Sequence, residues 1–173
     1  DFAQRGGLDL FFLSGAQIDR AGNLNLIAVG DPARPTVRLP GGAGAAMLYY
    51  LPRRVIVFRA EHSPRVFVER VDVTTAPGAG PPDVVRPGGP WKAVTPLCVF
   101  RFDRARAQLV VEALQPGVTR EELQRQTGFP LEWAPDVTTV PPPTADELRL
   151  LRTRVRAAVA RAYPRFAATA FAA

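Results

Sequence analysis

Short apolar runs separated by turn residues fill the first sixty positions of the chain. The runs at 8–13 and 24–29 each end in a glycine-containing turn and predict short buried strands. A β-branched apolar run at 54–59 is typical of a central strand in a parallel sheet. Between them, a glycine-rich stretch at 41–46 leads into 47–51, where the pattern predicts a short helix. Strand, glycine-rich turn, helix and strand in this order predict an α/β fold with a parallel sheet.

The second half of the chain adds predicted strands and one long loop. Residues 66–73 alternate apolar and polar positions, as a half-buried strand does. Residues 95–102 and 108–114 predict the two strands of a β-hairpin. A proline- and glycine-rich stretch at 76–90 predicts a loop, and loops of this length inside a domain usually serve a function or move.

Helix signals are confined to the C-terminal part of the sequence. Two capping boxes, at 119–122 and 144–147, predict the starts of a short and a longer helix. The longer helix places apolar residues on one face and arginines on another, and it ends before Pro164. We therefore predict an α/β domain at 1–132, followed by a proline-rich connector and a C-terminal amphipathic helix at 133–173.

The composition is that of an ordinary soluble globular protein, with 47% hydrophobic and 22% charged residues among 173. Since no apolar run approaches the roughly 18 residues of a membrane span, we expect no membrane partner. One cysteine, Cys98, and one histidine, His62, leave no internal disulfide and too few ligands for zinc. We therefore expect no metal and a reducing, cytoplasmic setting. The first residues show neither a signal leader nor an initiator methionine, which predicts a processed or truncated product.

The net charge of +6 raises the question of a nucleic-acid partner. The excess is almost entirely arginine, and the arginines are dispersed along the chain. Their densest region, 149–165, alternates with apolar residues at helical spacing. This pattern favours a solvated helix face or a contact with another chain over a nucleic-acid interface.

The glycine-rich turn is the best candidate for chemistry. Gly41, Gly42 and Gly44 allow backbone N–H groups to approach a ligand, which suits a phosphate or a developing oxyanion. The turn lacks the lysine of a Walker loop and the spacing of a dinucleotide fingerprint. The alternative interpretation is a tight turn between a strand and a helix.

Nucleophilic catalysis finds little support among the side chains. Cys98 lies in an apolar strand, which favours an inert buried thiol. His62 follows the central strand, where open α/β sheets bind ligands, but a capping or exposed histidine is the favoured alternative. Glu61 has the chemistry of a carboxylate nucleophile, although a single acid in a turn is usually only solvated. No catalytic residue is assigned.

Several separate stretches, in the right order, resemble one enzyme family. Gly-Ala-Gln-Ile-Asp-Arg-Ala-Gly-Asn-Leu-Asn within 6–25 and Val-Arg-Leu-Pro-Gly-Gly-Ala-Gly-Ala at 37–45 are similar to the beta subunit of family I coenzyme A transferases. Ser-Pro-Arg-Val-Phe-Val-Glu-Arg-Val-Asp and Thr-Ala-Pro-Gly within 63–78 resemble the branch that contains glutaconate CoA-transferase-like subunits and steroid ring-opening CoA hydrolases. The stretches at 94–100 and 115–119 also fit, and the similarity extends to about residue 132.

The resemblance implies an open three-layer α/β sheet of the CoA-transferase and sugar-phosphate isomerase type, with a C-terminal hairpin and helices. It also implies a hetero-oligomer with an alpha subunit. In such transferases a glutamate of the beta subunit attacks the acyl-CoA thioester, and the CoA passes to a second carboxylate. That glutamate belongs to a segment upstream of the matched region, so we expect this chain to lack the N-terminal part. Met47 also departs from the family, whose members often carry Asp or Glu after the glycine loop.

The function implied by the resemblance is that of a beta subunit acting on an acyl-CoA thioester in steroid or dicarboxylate catabolism. The reaction is CoA transfer between carboxylates, or hydrolysis or ring opening of a CoA thioester, with coenzyme A as part of the substrate. The predicted substrate and CoA contacts are Asn25, which shapes the floor of the site, and the loop Gly41, Gly42, Ala43 and Gly44. The alternative is a non-catalytic structural or ligand-sensing subunit of the same fold.

Overall fold

Eleven strands and five α-helices form the described part of the chain, residues 1–172 of a computed structural model. The strands are β1 (Leu10–Leu13), β2 (Gln17–Asp19), β3 (Leu24–Asn25), β4 (Ala28–Val29), β5 (Val37–Arg38), β6 (Arg54–Phe58), β7 (Phe67–Val68), β8 (Pro90–Val94), β9 (Cys98–Asp103), β10 (Gln108–Leu114) and β11 (Trp133–Thr139). The helices are α1 (Ala45–Leu48), α2 (Arg120–Arg125), α3 (Ala145–Leu150), α4 (Arg156–Ala162) and α5 (Pro164–Ala170), with a π-helical turn at Leu151–Val155 between α3 and α4. The chain divides into two compact units, Asp1–Val140 and Pro141–Ala173.

The first unit is organised around a six-stranded sheet with the strand order β1-β6-β8-β9-β10-β11. Strand β6 pairs in parallel with β1 and with β8, while β9 is antiparallel to both β8 and β10. The predicted α/β class, its parallel strands on either side of the glycine loop and the predicted hairpin are therefore confirmed. Two small sheets, β3-β2-β7 and β4-β5, complete the unit.

One face of the central sheet packs into the core. Val55 and Val57 of β6 lie on this face, because alternate residues of a strand point to the same side. Phe100 from β9, Leu123 from α2 and Tyr49, just after α1, are completely buried against them. Apolar contacts thus hold α1 and α2 against the sheet. Buried Tyr49 anchors α1 at the end opposite the glycine-rich turn.

The opposite face of the sheet remains open at its β1 edge. Leu10 and Phe12 of β1 are 42% and 56% exposed, and Phe58 of β6 is 50% exposed. The expectation of a buried strand at 8–13 is therefore wrong: the apolar run forms an edge strand. Its alternate residues face solvent because nothing among residues 1–172 covers them. Parallel sheets normally have both faces covered, so this apolar face is incomplete in the isolated chain.

Three further predictions differ from the structure. The connector predicted from 133 contains strand β11, which pairs in parallel with β10 and extends the first unit to Val140. Proline is tolerated there because an edge strand needs no ladder bond from every residue. The run at 24–29 forms two short strands, β3 and β4, because the chain turns at Leu26 and Ile27. Only β7 forms within 66–73.

The second unit is helical, as predicted, and is described by itself. Its first helix begins with a complete capping box, in which the hydroxyl of Thr144 accepts from the Glu147 amide and the Glu147 carboxylate accepts from the Thr144 amide. Leu150, Leu151 and Val155 remain 41 to 46% exposed. Among residues 1–172, no helix combines the length and apolar character that crossing a membrane requires.

Candidate functional site

The glycine-rich turn lies between β5 and α1 and has an irregular backbone. Gly41 has a φ of 100° and Ala43 a φ of 43°, so both adopt left-handed conformations. Glycine does so without a steric penalty, whereas an alanine in this region costs roughly 1 kcal/mol. A residue with a side chain held in this conformation shows that the surrounding contacts determine the shape of the turn.

The backbone amides of the turn differ in their hydrogen bonding. The amide of Gly41 donates to the carbonyl of Leu26 (3.1 Å), so the expectation that Gly41 offers a free N–H is wrong. Within the described residues, the amides of Gly42, Ala43 and Gly44 have no protein acceptor. Gly42 is half-buried, while Ala43 and Gly44 are exposed. Three consecutive N–H groups are therefore free to bind an anion or a carbonyl oxygen.

Asn25 fixes the segment on which the turn rests. Its side chain is completely buried and donates to the side-chain oxygen of Gln17 (2.7 Å) and to the carbonyl of Ala28 (2.6 Å). Its own oxygen accepts from the amides of Ile27 and Ala28. The neighbouring carbonyls of Leu26 and Ile27 then hold the turn. Asn25 therefore acts on the loop through the backbone, which is compatible with its predicted role in shaping the floor of the site.

Thr75 is a part of the site that no pattern in the sequence indicated as functional. Its hydroxyl accepts from the amide of Leu26 (2.9 Å). Its methyl group packs against Gly42 so closely that a Cβ at position 42 would lie 2.3 Å from it. The only sequence signal was the position of Thr75 inside a stretch that resembles the family, immediately before the proline-rich loop. A larger residue at position 42 would thus force either the turn or Thr75 to shift.

An apolar cleft of about 400 Å³ lies along α1, the helix that follows the turn. One wall is formed by α1 and Tyr50, the other by the loop at 76–90, which the sequence predicted. Gly42 touches Thr75, so the segments that lead into the two walls are in contact beside the turn. The residues that line the cleft are Ala46, Met47, Tyr50, Pro77, Gly80, Pro81, Val84 and Arg86. Met47, where the family often has an acid, contributes an apolar surface.

Glu61 and Cys98, the other candidate nucleophiles, are not activated for attack, and neither of them lines the cleft. The carboxylate of Glu61 accepts two hydrogen bonds from Arg65 (2.7 and 2.8 Å) and one from Ser63, which lower its pKa to about 2. Burial raises the pKa of the Cys98 thiol to about 12, so the predicted inert thiol agrees with the structure. A fully ion-paired carboxylate and a protonated thiol are both poor nucleophiles.

His62 is a structural side chain. Its Nδ1 lies 2.9 Å from the hydroxyl of Thr95, and its Nε2 lies 3.0 Å from that of Thr127. The ring stacks on Phe67 at a centroid distance of 4.1 Å. The favoured expectation of a capping or exposed histidine is therefore wrong, because the ring is buried with both nitrogens satisfied by threonine hydroxyls.

The stability of the chain should depend on the protonation of His62. Burial lowers the pKa of this imidazole from 6.5 to about 4. Between these values the unfolded chain binds a proton that the folded chain refuses, so the free energy of unfolding should fall as the pH drops from about 6.5 to about 4. The expected loss is about 3 kcal/mol, since each pKa unit corresponds to about 1.4 kcal/mol.

Urea unfolding at several pH values checks this expectation. The His62→Gln variant serves as the control because the chain has no other histidine. The difference between the two proteins should shrink as the pH falls from 6.5 to 4, while carboxylate titration affects both equally. A difference that is constant over this range would contradict the assignment.

The chemistry of a metal site is not assembled in the described part of the chain. Among residues 1–172, no three His, Cys, Asp or Glu side chains lie close enough together to hold an ion. The absence of a metal from the working protein stays a prediction.

Comparison with known proteins gives concordant matches. The family model described as coenzyme A transferase matches residues 1–126. The B chain of the 3-oxoadipate CoA-transferase of Pseudomonas knackmussii is 36% identical over 155 residues, which cover 86% of this chain and 59% of that protein. The IpdB chain of the cholesterol ring-cleaving hydrolase of Rhodococcus jostii is 32% identical over 145 residues, covering 79% of this chain and 55% of that protein.

A solved structure agrees with these matches. The crystal structure of glutaconate coenzyme A-transferase from Acidaminococcus fermentans superposes with a TM-score of 0.73 at 29% identity, over 83% of this chain and 57% of that one. The chain thus spans between one half and three fifths of the length of these relatives.

Proposed function

The chain belongs to the coenzyme A transferase family, and on this premise we propose that it is a beta-type subunit of a heteromeric enzyme that acts on an acyl-CoA thioester. The observation that carries the proposal is the row of free amides at Gly42, Ala43 and Gly44 beside an apolar cleft. The resemblance found in the sequence to this family, and to its branch of glutaconate CoA-transferase-like subunits and steroid ring-opening hydrolases, is confirmed by the relatives.

The geometry suits a thioester carbonyl. When a nucleophile attacks that carbon, negative charge develops on the oxygen, and preorganised N–H donors stabilise it more than they stabilise the neutral carbonyl. Donors of this kind are worth about 10²- to 10³-fold in turnover. The acyl group would occupy the cleft, whose walls are mainly Ala, Met, Pro and Val side chains. The surplus of arginine favours approach of the CoA phosphates.

The attacking group is proposed to come from outside the matched region. Glu61 is ion-paired and Cys98 is protonated, so neither is suited to attack a thioester. The choice between transfer and hydrolysis depends on that group and on what accepts the acyl or CoA moiety. The relatives include a chain of a 3-oxoadipate CoA-transferase and a chain of a ring-cleaving hydrolase, and both dicarboxylate and steroid-derived acyl groups are therefore proposed classes.

A second polypeptide is proposed to cover the open face of the sheet. The apolar patch of Leu10, Phe12 and Phe58 lies at an edge strand whose outer side is unpaired among residues 1–172. The relatives are much longer than this chain, so the occupant we propose is the polypeptide that supplies the rest of the family fold. Coenzyme A as part of the substrate, a cytoplasmic location and an alpha-type partner belong to the same proposal.

The patch gives a direct test of assembly. The double variant Phe12→Ser, Phe58→Ser should lose co-purification with the polypeptide that completes the fold, because it removes both phenyl rings of the exposed apolar patch. The control Leu151→Ser changes a similarly exposed apolar residue in the second unit and should leave co-purification intact. Equal recovery of the partner by both variants would contradict the proposed surface.

The activity is tested with the assembled enzyme. The chain should be co-expressed with its alpha-type partner and the complex assayed for consumption of acyl-CoA, with and without a carboxylate acceptor. Acceptor-dependent loss of thioester indicates transfer, and acceptor-independent loss indicates hydrolysis. A complex that turns over no acyl-CoA and binds no CoA would reject the proposal. A complex that binds CoA without turnover would favour the second candidate function, that of a non-catalytic subunit. The observation that supports this candidate is that neither Glu61 nor Cys98 is suited to act as a nucleophile.

A further inference from the structure

We propose that Arg86 recognises the far end of the acyl group, so that the cleft selects acyl chains that end in a carboxylate. The inference rests on the proposed function, because it assumes that the thioester end of the ligand lies at the glycine-rich turn. It adds a specificity-determining residue to that function.

Arg86 is the only charged residue among those that line the cleft. The other lining side chains are apolar, apart from the hydroxyl of Tyr50, and the wall formed by Pro77, Gly80 and Pro81 lies on the same loop as Arg86. The chain therefore places one cation in a hydrophobic cleft. A ligand that fills this cleft needs an apolar body and a single anionic group.

The guanidinium of Arg86 is held in place but is not fully satisfied. Its Nη2 donates to the carbonyl of Pro77 (2.8 Å), and its carbon lies 5.3 Å from the centre of the Tyr50 ring. Its Nη1 is buried and has no hydrogen-bond partner among the described residues. A buried donor without an acceptor is unfavourable, so an incoming acceptor gains more here than it would at an exposed arginine.

No acid neutralises this guanidinium. Among residues 1–172, no carboxylate lies within ion-pair distance of Arg86. Partial burial lowers the pKa of Arg86, and the like charge of Arg104 lowers it further. The cleft thus carries an uncompensated cation, in contrast to Arg65, which is paired with Glu61.

A carboxylate fits this arrangement better than a phosphate. The planar fork of an arginine matches the two oxygens of a carboxylate, and one fork is sufficient to bind it. A pyrophosphate would require several donors, and the apolar walls would remain without a partner. The phosphates of CoA are better served by the exposed arginines outside the cleft.

The cleft also lies close to the glycine-rich turn along the chain. Ala46 and Met47 follow the turn directly, and Pro77 lies two residues after Thr75, which touches Gly42. Residues that line the cleft therefore lie within two or three positions of the segment that bears the free amides. A thioester carbonyl at the amides and a carboxylate at Arg86 would place the intervening methylene groups along the apolar walls.

Calorimetric titration of the full chain, assembled with its alpha-type partner, with two five-carbon CoA esters tests the proposal. Glutaryl-CoA ends in a carboxylate and valeryl-CoA in a methyl group. The wild-type chain should bind glutaryl-CoA about 10- to 100-fold more tightly, the range expected for a charge-assisted hydrogen bond. Arg86→Gln should reduce this ratio to about one. The control Arg125→Gln, which changes an exposed arginine of α2, should retain it.

The outcomes separate the two proposals. Equal binding of both esters by the wild-type chain, or an unchanged preference in Arg86→Gln, would overturn the role of Arg86 and leave the proposed function intact. Binding of neither ester would count against the proposed function. In that case the role of Arg86 is tested with millimolar free glutarate and, as the control, valerate. Glutarate must shift the side-chain NMR signal of Arg86 more than valerate does, and the absence of such a shift would reject the site.

Discussion

Replacing Gly42 with alanine should lower the turnover of the assembled enzyme by about 100-fold, as expected when an oxyanion-binding donor is lost. The added Cβ would lie 2.3 Å from the methyl carbon of Thr75, a distance that no relaxed structure tolerates. Either the turn or the Thr75 side chain must therefore move. A shift of the turn displaces the amides of Gly42, Ala43 and Gly44, and a rotation of Thr75 breaks its hydrogen bond with the Leu26 amide beneath the turn. The measurement is kcat with a saturating acyl-CoA, accompanied by circular dichroism to confirm folding.

A second substitution distinguishes this cause from a general loss of stability. Thr75→Ser removes the clashing methyl group and keeps the hydroxyl that accepts from the Leu26 amide. Adding it to Gly42→Ala should restore turnover to within a few-fold of the original. Gly44→Ala is the matched control, because its Cβ would meet Leu48 at an ordinary 3.5 Å. A double variant as inactive as Gly42→Ala would show that the clash is not the cause.

Replacing Asn25 with alanine should destabilise the chain by about 3–5 kcal/mol, since each buried group left without a partner costs about 1–3 kcal/mol. The side chain is completely buried and makes four hydrogen bonds. Its removal leaves the carbonyl and the amide of Ala28 and the amide of Ile27 without these partners. The free energy of unfolding in urea measures the loss.

Asn23→Ala is the control for Asn25→Ala. Asn23 is only half-buried, and its side chain makes two hydrogen bonds, to Asp19 and from Gly78. We expect it to cost about 1–2 kcal/mol because water can replace part of what is lost. Equal losses in the two variants, or a loss below about 1 kcal/mol for Asn25→Ala, would contradict the role assigned to Asn25.

The sequence predicted the parts of the fold that depend on local pattern. The apolar run at 54–59 and the two predicted hairpin strands are present in the structure as β6, β9 and β10. Edge position is not encoded in this way. Strand β1 reads as buried because its side chains are apolar, whereas their exposure depends on what covers the sheet. Strand β11 was missed because its proline, Pro135, and the prolines that follow the strand resemble those of a connector.

The candidate site was only partly predictable for a similar reason. Glycines at 41, 42 and 44 marked a turn, but the sequence does not show which amides are occupied, and Gly41 proved to be bonded to Leu26. Two features of the site depend on contacts between distant parts of the sequence. Thr75 touches Gly42 and Arg86 enters the cleft because the loop at 76–90 packs beside a turn that lies some 30 residues earlier in the chain. Such long-range contacts leave no periodic signal.

The most direct test of the proposed oxyanion site is the response of the loop amides to an acyl-CoA. The ¹H–¹⁵N signals of Gly42, Ala43 and Gly44 should shift downfield when a non-hydrolysable acyl-CoA analogue with an intact carbonyl is added to the labelled chain. Free CoA, which lacks the thioester carbonyl, should leave them unchanged, and Gly117, in the turn before α2, serves as the internal reference. Unchanged signals for all three amides in the presence of bound analogue would contradict the proposed site.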